Sequence, residues 1–259
     1  MKARPIAVVV PCFNEERRLD LQQFRNFAFG HPDVRFLFVD DGSTDSTPSI
    51  LAVEARAHPQ FVEVLRLEEN VGKGEAVRLG LLEVLKSESR LVAFWDADLA
   101  TPLDELSSMV ECLEENPEIS CVIGARVRLM GRAIERRAFR HYVGRFFASA
   151  SSLVLGLPVY DTQCGAKVFR VTESLQSVLD RPFRSRWIFD VELLARLKDV
   201  FGEEVEDRLI EYPLRSWRDI GDSKLKPRDY FRSALHLFDL WLRRGGRRSS
   251  GAEGVSNGE

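Results

Sequence analysis

Five short, largely apolar runs, separated by stretches of helical length, dictate how this chain can fold. They are 6–10, 36–39, 62–67, 92–95 and 121–124. Each is too short for a helix and rich in β-branched or aromatic residues, which predicts buried strands. Strands alternating with helices at this spacing make βαβ units. The expected fold is therefore α/β, a Rossmann-like, mostly parallel sheet with helices on both faces. A single domain accommodates the 259 residues. A further strand is expected over Val205 to Pro213, and a helix from about Ile134 to Leu157. An amphipathic helix is expected over 227–246, with Phe231, Ala234, Leu235, Phe238, Trp241 and Leu242 on one face. The Gly- and Ser-rich stretch 247–259 reads as a disordered tail.

The strand ends carry the chemistry. Val92-Ala93-Phe94-Trp95 runs straight into Asp96-Ala97-Asp98. A buried strand cannot hold two carboxylates inside without partners, so both must sit where it emerges. Thr101 is expected to cap the following helix, with Pro102 in its first turn. Ligands of open α/β sheets bind at the carboxyl ends of strands. Asp96 and Asp98 there suit a hard divalent cation, Mg2+ or Mn2+, shared with the phosphates of a nucleotide.

Charge is distributed unevenly. Residues 1–120 carry 12 Lys/Arg against 22 Asp/Glu, and residues 121–259 carry 25 against 18. Arg126, Arg128, Arg132, Arg136, Arg137, Arg140 and Arg145 fall within one short stretch opposed by Glu135 alone. Next to an apolar helix, such a run points to anion binding. Nothing resembles a nucleic-acid-binding motif, and no nucleic acid is expected as partner. Cys12, Cys112, Cys121 and Cys164 show neither metal-ligand spacing nor a disulfide framework, as expected of reduced cytoplasmic thiols. The residues before Ile6 do not read as a signal peptide. No apolar run approaches the ~18 residues of a membrane span.

Four signals occur in order: Val-Val-Pro-Cys-Phe-Asn-Glu-Glu (9–16), Val-Asp-Asp-Gly-Ser-Thr-Asp (39–45), Asn-Val-Gly-Lys-Gly (70–74) and Asp-Ala-Asp (96–98). Together they resemble the family 2 glycosyltransferases of GT-A fold, over roughly residues 5 to 230. Asp-Thr-Gln-Cys-Gly-Ala-Lys-Val-Phe (161–169) is similar to the dolichyl-phosphate and polyprenyl-phosphate members, the glucosyl type above all. The usual members with that spelling carry membrane helices, and no such run occurs here.

The resemblance implies a GT-A domain over 1–230, with a nucleotide-sugar-binding half (1–125) and an acceptor half (126–230). Pro11, Asn14 and Glu15 would line the nucleoside pocket, and Asp41 would hydrogen-bond the base, with the adjacent Asp40 as the alternative. Gly72 lets the backbone approach the nucleotide, and Lys73 meets its charge. Asp96 would sit near ribose or sugar, and Asp98 on the metal. The implied reaction is an inverting transfer of glucose from UDP-glucose to a polyprenyl or dolichyl phosphate. A phosphate acceptor, with a second pKa of about 6, is largely dianionic at neutral pH and needs no general base. It needs cations, and Arg126, Arg136, Arg140, Ser223 and Lys224 are the candidates. Gln163 would orient the sugar or the incoming phosphate, and Asp190 would contact sugar or acceptor. Two other enzymatic readings stand beside this one. A hydroxyl acceptor would need a carboxylate base, with Asp190 the obvious choice, and GDP-mannose could replace UDP-glucose. A non-enzymatic nucleotide-sugar-binding or membrane-adaptor protein would have no use for an intact Asp-x-Asp. Basic, amphipathic helices at both ends of the second half predict peripheral attachment to the cytoplasmic face of a membrane.

Overall fold

A computed structural model describes residues 5–135, 138–186, 188–220 and 227–250, without the side chains of 138–143, 227–231 and 244–250. Its centre is a seven-stranded sheet of order β3-β2-β1-β4-β7-β5-β8. The strands are β1 (Ile6–Cys12), β2 (Val34–Asp40), β3 (Val62–Arg66), β4 (Leu91–Trp95), β5 (Cys121–Ala125), β7 (Ala166–Arg170) and β8 (Leu209–Pro213). All five strands read from the apolar runs form, and β1, β2, β3 and β4 pair in parallel. Their near-continuous apolar character follows from burial on both faces.

Helices cover the sheet on both sides. On one face lie α1 (Leu21–Gly30), α2 (Thr47–Ala57) and α4 (Asp104–Glu115), which bury Phe24, Phe27, Leu51, Leu106 and Met109. On the other, α3 (Lys73–Val84), α6 (Glu173–Leu179) and α7 (Phe189–Phe201) bury Val77, Leu81, Leu175, Phe189 and Leu194. The ends of α5 (Ala138–Leu155) and the middle of α9 (Pro227–Ser250) join that second cluster through Leu155 and Leu237.

Several boundaries differ from expectation, each for a local reason. β7 was not foreseen as a strand. It inserts antiparallel between β4 and β5, and its apolar run is broken by Lys167, which hides the strand signal. The helix expected from Ile134 instead begins at Ala138. Ala133–Glu135 is β6, a short edge strand paired with β9 (Ser216–Arg218), and only Ile134 of the three points inward. The strand expected from Val205 begins at Leu209, where pairing with β5 starts. Val205–Arg208 is a single helical turn, α8, tied by an Arg208–Glu204 ion pair. Thr101 is not the cap of α4, which starts at Asp104 after Leu103. Its carbonyl is spent accepting from the Trp95 indole N–H at 2.8 Å. α9 continues to Ser250, four residues into the expected tail, and residues 251–259 lie outside the described residues.

α5 and α9 pack against each other. On α9, Ser233 and Leu237 face inward, whereas Ala234, Leu235, Phe238, Trp241 and Leu242 form one exposed stripe. Phe238 and Trp241 stack on one another, their centroids 5.7 Å apart. Phe146 and Leu153, seven residues apart on α5, are exposed as well, at 79% and 82%. Among the described residues no helix is long and apolar enough to cross a membrane.

Candidate active site

The ends of β1 and β2 and the loop before α3 form one wall. Pro11 is half-buried on β1, opposite Val39 of β2. Asn14 sits at φ 51, and its side-chain carbonyl accepts from the Thr44 N–H at 2.8 Å. It therefore brackets the β1 and β2 loops together. Glu15 is buried and held in a fork by Arg18, with Nε and Nη2 at 2.9 and 2.8 Å. Asp45 accepts from the Thr47 N–H at 2.9 Å, at the start of α2.

The adjacent Asp40 and Asp41 are distinguished by their partners. Asp41 accepts from the Val71 N–H, the Gly72 N–H and Asn70 Nδ2 at 2.7, 2.9 and 2.9 Å. Burial pushes its carboxyl up, while the two backbone N–H groups pull it back down. Asp41 is thus the clamp of the 70–72 loop. Asp40 is fully buried and accepts from the Ser43 N–H with one oxygen. Its other oxygen has no hydrogen-bond partner among the described residues, with Arg66 Nε 3.8 Å away. Gly72 has φ +98, and a Cβ there would lie 2.6 Å from Nε of Arg186, which donates to the Val71 carbonyl. The loop is gripped from both halves of the chain.

The floor is built from β4. Asp96 forms an ion pair with Lys73 at 2.5 Å. Burial would lower the Lys73 ammonium, but Asp96, Asp190 and Asp98 hold it above its ordinary value. Asp98 accepts from the Ala100 N–H at 3.1 Å, across a turn that forces Leu99 to φ 52. Burial first, and Asp96 second, push the Asp98 carboxyl up. Gly165 packs directly against Asp96: a Cβ there would lie 2.0 Å from Oδ2 and 2.2 Å from Cγ. The Asp96 N–H also donates to the Gly165 carbonyl at 2.9 Å.

Residues after β5 close the site. Arg126 donates bidentately to Asp161, both bonds 2.7 Å, and lies over the Trp217 ring. Asp161 is anchored in turn, its N–H donating to Glu211 at 2.8 Å. Arg126, Arg145, Tyr160, Asp161, Thr162 and Gln163 line a narrow cleft against α5. Arg145 stacks on Tyr160 at 3.8 Å, and the buried Thr162 Oγ1 has no hydrogen-bond partner among the described residues. Asp190, in the first turn of α7, is only 4% exposed. It receives a hydrogen bond from the fully buried Lys167 at 2.5 Å. Arg136, Ser223 and Lys224 lie outside the described residues, and of Arg140 only the backbone, in α5, is described.

The site brings Lys73, Asp96, Asp98 and Asp190 together, with Arg126 close enough for its charge to be felt by Asp96, and Gln163 lines the cleft beside Arg126. Sequence reasoning missed Arg18, Asp161 and Lys167 as parts of it. The signal available for Lys167 was a lone cation in an apolar run. Among the described residues no three His, Cys, Asp or Glu side chains converge as a metal cage. The donor set nevertheless suits a divalent cation completed by ligand oxygens. Asp98 is a hard oxygen donor whose charge is destabilised by burial, and Asp96 is partly spent on Lys73.

The Glycosyl transferase family 2 pattern matches residues 7–174. This chain belongs to that family. A dolichyl-phosphate beta-glucosyltransferase of Drosophila melanogaster is 33% identical over 92% of this transferase and 74% of its own length. Polyprenol monophosphomannose synthase of Mycolicibacterium smegmatis is 27% identical over 92% of this chain and 87% of its own. In fold, the transferase is similar to Mycobacterium tuberculosis glucosyl-3-phosphoglycerate synthase, solved with Mn2+, UDP-glucose and phosphoglyceric acid. That likeness has a TM-score of 0.64 at 23% identity, covering 94% of this chain and 80% of the other. The sheet and helices accordingly have the GT-A arrangement.

Proposed function

We propose that this transferase moves glucose from UDP-glucose to a polyprenyl or dolichyl phosphate at a membrane surface, with inversion and with Mg2+ or Mn2+. The observation that carries the acceptor class is the pairing of charges beside the donor crevice. The one carboxylate that a hydroxyl acceptor would need as base, Asp190, is enclosed and bound to Lys167 at 2.5 Å. The neighbouring cleft is lined instead by Arg145, stacked on Tyr160, and by Arg126, whose guanidinium is already bound to Asp161. A base in an ion pair is poorly placed to take a proton, whereas a phosphate dianion needs cations and no base.

We infer the following roles, which the geometry supports. Asp40, with an oxygen lacking a hydrogen-bond partner, accepts from the base, and Asp41 shapes the loop that covers it. Glu15, fixed by Arg18, meets the ribose. Asp98 would hold the metal, which would supply positive charge to the leaving diphosphate. Lys73 adds a second positive charge, and its grip on Asp96 orients that carboxylate toward the sugar. Asp190 contributes fixed negative charge near the anomeric carbon, where positive charge develops in the transition state. Gln163 orients the sugar, and Thr162 Oγ1 donates to the acceptor phosphate.

The exposed stripe of α9, with Phe146 and Leu153 of α5, is the surface that meets the bilayer on its cytoplasmic face. The names of the relatives, dolichyl-phosphate beta-glucosyltransferase and polyprenol monophosphomannose synthase, support a lipid phosphate acceptor. The test is a screen of UDP-glucose and GDP-mannose against a polyprenyl phosphate, read by transfer of radiolabel into organic solvent. UDP-glucose is expected to label the lipid fraction. Equal or faster labelling from GDP-mannose overturns the donor, and labelling of a sugar alcohol in preference to the lipid overturns the acceptor.

A further inference from the structure

The site contains one charged group that touches no expected substrate and is wholly enclosed. Lys167 has no exposed side-chain surface, yet it sits on the central strand β7 between β4 and β5. Burying an ammonium is costly unless it is paired and hydrogen-bonded. Its Nζ donates to the Cys164 carbonyl at 2.8 Å and to Asp190 Oδ1 at 2.5 Å, and lies 5.0 Å from the centroid of the Phe94 ring. A sheet of this kind gains nothing in packing from a lysine where Val168 and Phe169 follow at full burial. The carbonyl and the ring locate the ammonium, and the ammonium locates the carboxylate.

Asp190 begins α7, an element that reaches the crevice from the acceptor half. Its charge is felt by Lys73, which carries Asp96. Burial raises the Asp190 carboxyl, and Lys167 is the foremost group opposing that rise. Without Lys167 the carboxylate would lose both its fixed direction and the nearest support for its charge.

We propose that Lys167 is a positioning residue for sugar transfer: from the middle of the sheet, anchored by the Cys164 carbonyl and Phe94, it fixes the carboxylate of Asp190 beside the Lys73–Asp96 pair. It acts through Asp190 and touches neither donor nor acceptor. The inference rests on the transfer reaction proposed above.

A double-mutant cycle on turnover tests it, with Lys167→Met, Asp190→Asn and the double variant, alongside the dissociation constant for UDP with Mn2+. Each single change is expected to lower kcat about a hundredfold, the usual consequence of misplacing a reacting group by about 1 Å. UDP affinity should stay within about threefold of the wild type, a threshold well inside the tenfold that 1.4 kcal/mol represents. The double variant should match Asp190→Asn, because a residue acting through Asp190 has nothing further to lose. Multiplying effects would overturn the proposal, as would a Lys167→Met enzyme with wild-type kcat. Parallel loss of UDP binding and kcat would also overturn it, since that is the mark of a merely structural lysine. If Lys167→Met alone does not fold, the comparison of the double variant with Asp190→Asn decides, since the double variant leaves no unpaired buried charge. A wild-type enzyme that transfers nothing to polyprenyl phosphate refutes the acceptor assignment instead, and the same cycle is then read on UDP release from UDP-glucose in water.

Discussion

Gly165→Ala adds one methyl group where the crevice has no room for it. The new Cβ would lie 2.0 Å from Oδ2, 2.2 Å from Cγ and 2.6 Å from Oδ1 of Asp96. Carbon and oxygen atoms do not approach so closely, and the carboxylate must retreat by about 1 Å or more. Asp96 is the end of a side chain, so it can swing without unfolding β4. Overpacking of this sort costs about 1–3 kcal/mol, and a movable end group places it at the low end. In a chain of this size that is a fall in Tm of roughly 2–4 °C per kcal/mol. The retreat, however, pulls Asp96 away from Lys73, now 2.5 Å away. A misplacement of about 1 Å near the reacting atoms costs about a hundredfold in rate, equivalent to about 2.7 kcal/mol in the barrier. The assay is turnover of labelled donor, with the thermal midpoint and UDP affinity measured on the same preparation. Gly30→Ala is the control, since nothing lies within 4 Å of a Cβ at that position. A Gly165→Ala enzyme with undiminished kcat would refute the reasoning, because Asp96 would then not be held where the chemistry needs it.

Asp98→Asn should lower kcat at least a hundredfold, the scale of losing one strong electrostatic contact, and excess EDTA should abolish wild-type turnover. Burial and Asp96 raise the Asp98 carboxyl in the folded state, so the fold binds its proton more tightly than the unfolded chain does. Its ionisation therefore costs stability as pH rises through the folded pKa. Metal-free Asp98→Asn should melt no lower than metal-free wild type at pH 7, with the difference fading below the ordinary carboxylate range. Calorimetry of both proteins across pH checks this, and a lower Tm for Asp98→Asn at pH 7 contradicts it. Phe238→Glu with Trp241→Glu should abolish co-sedimentation with anionic liposomes while leaving Tm within about 2 °C, as surface substitutions usually do. Retained sedimentation would exclude the α9 stripe as the membrane contact.

The parallel half of the sheet was legible because its strands are apolar on both faces and end where glycine and carboxylates begin. Asp96 and Asp98 could be placed at a strand end from the sequence, and Lys73 beside the nucleotide from the family resemblance, and the structure brings the three together. What was not legible depends on contacts between residues distant in the chain. Lys167 disguised β7, since a lysine in a strand reads as solvent-facing until its partner, twenty-three residues away, is known. The division of labour between Asp40 and Asp41 is invisible in a doublet of identical residues. It is decided by the N–H groups of Val71 and Gly72, thirty positions on. Gly165 looked like one glycine of a motif, and only the position of Asp96 shows why a side chain is excluded there.

The ion pairs also determine which parts of the crevice move together. Arg186, from the acceptor half, donates to the Val71 carbonyl and to the side-chain carbonyl of Asn70, whose amide donates to Asp41. Asp190, also from the acceptor half, adds its charge to the Lys73–Asp96 pair and is fixed by Lys167. Arg126 and Asp161 tie the end of β5 to the turn that carries Gln163 and Gly165. The Arg186 and Asp190–Lys73 links join residues before and after β5, the Arg126–Asp161 pair lies wholly after β5, and each ends within a residue or two of a group proposed to contact substrate. A shift of α7 or of the 161–165 turn is therefore felt at Asp96 and at the 70–72 loop. Exposed ion pairs contribute little to stability, but pairs enclosed in a crevice hold geometry. Their arrangement ties the end of β4, the end of β5, the 70–72 loop and the 161–165 turn to one another.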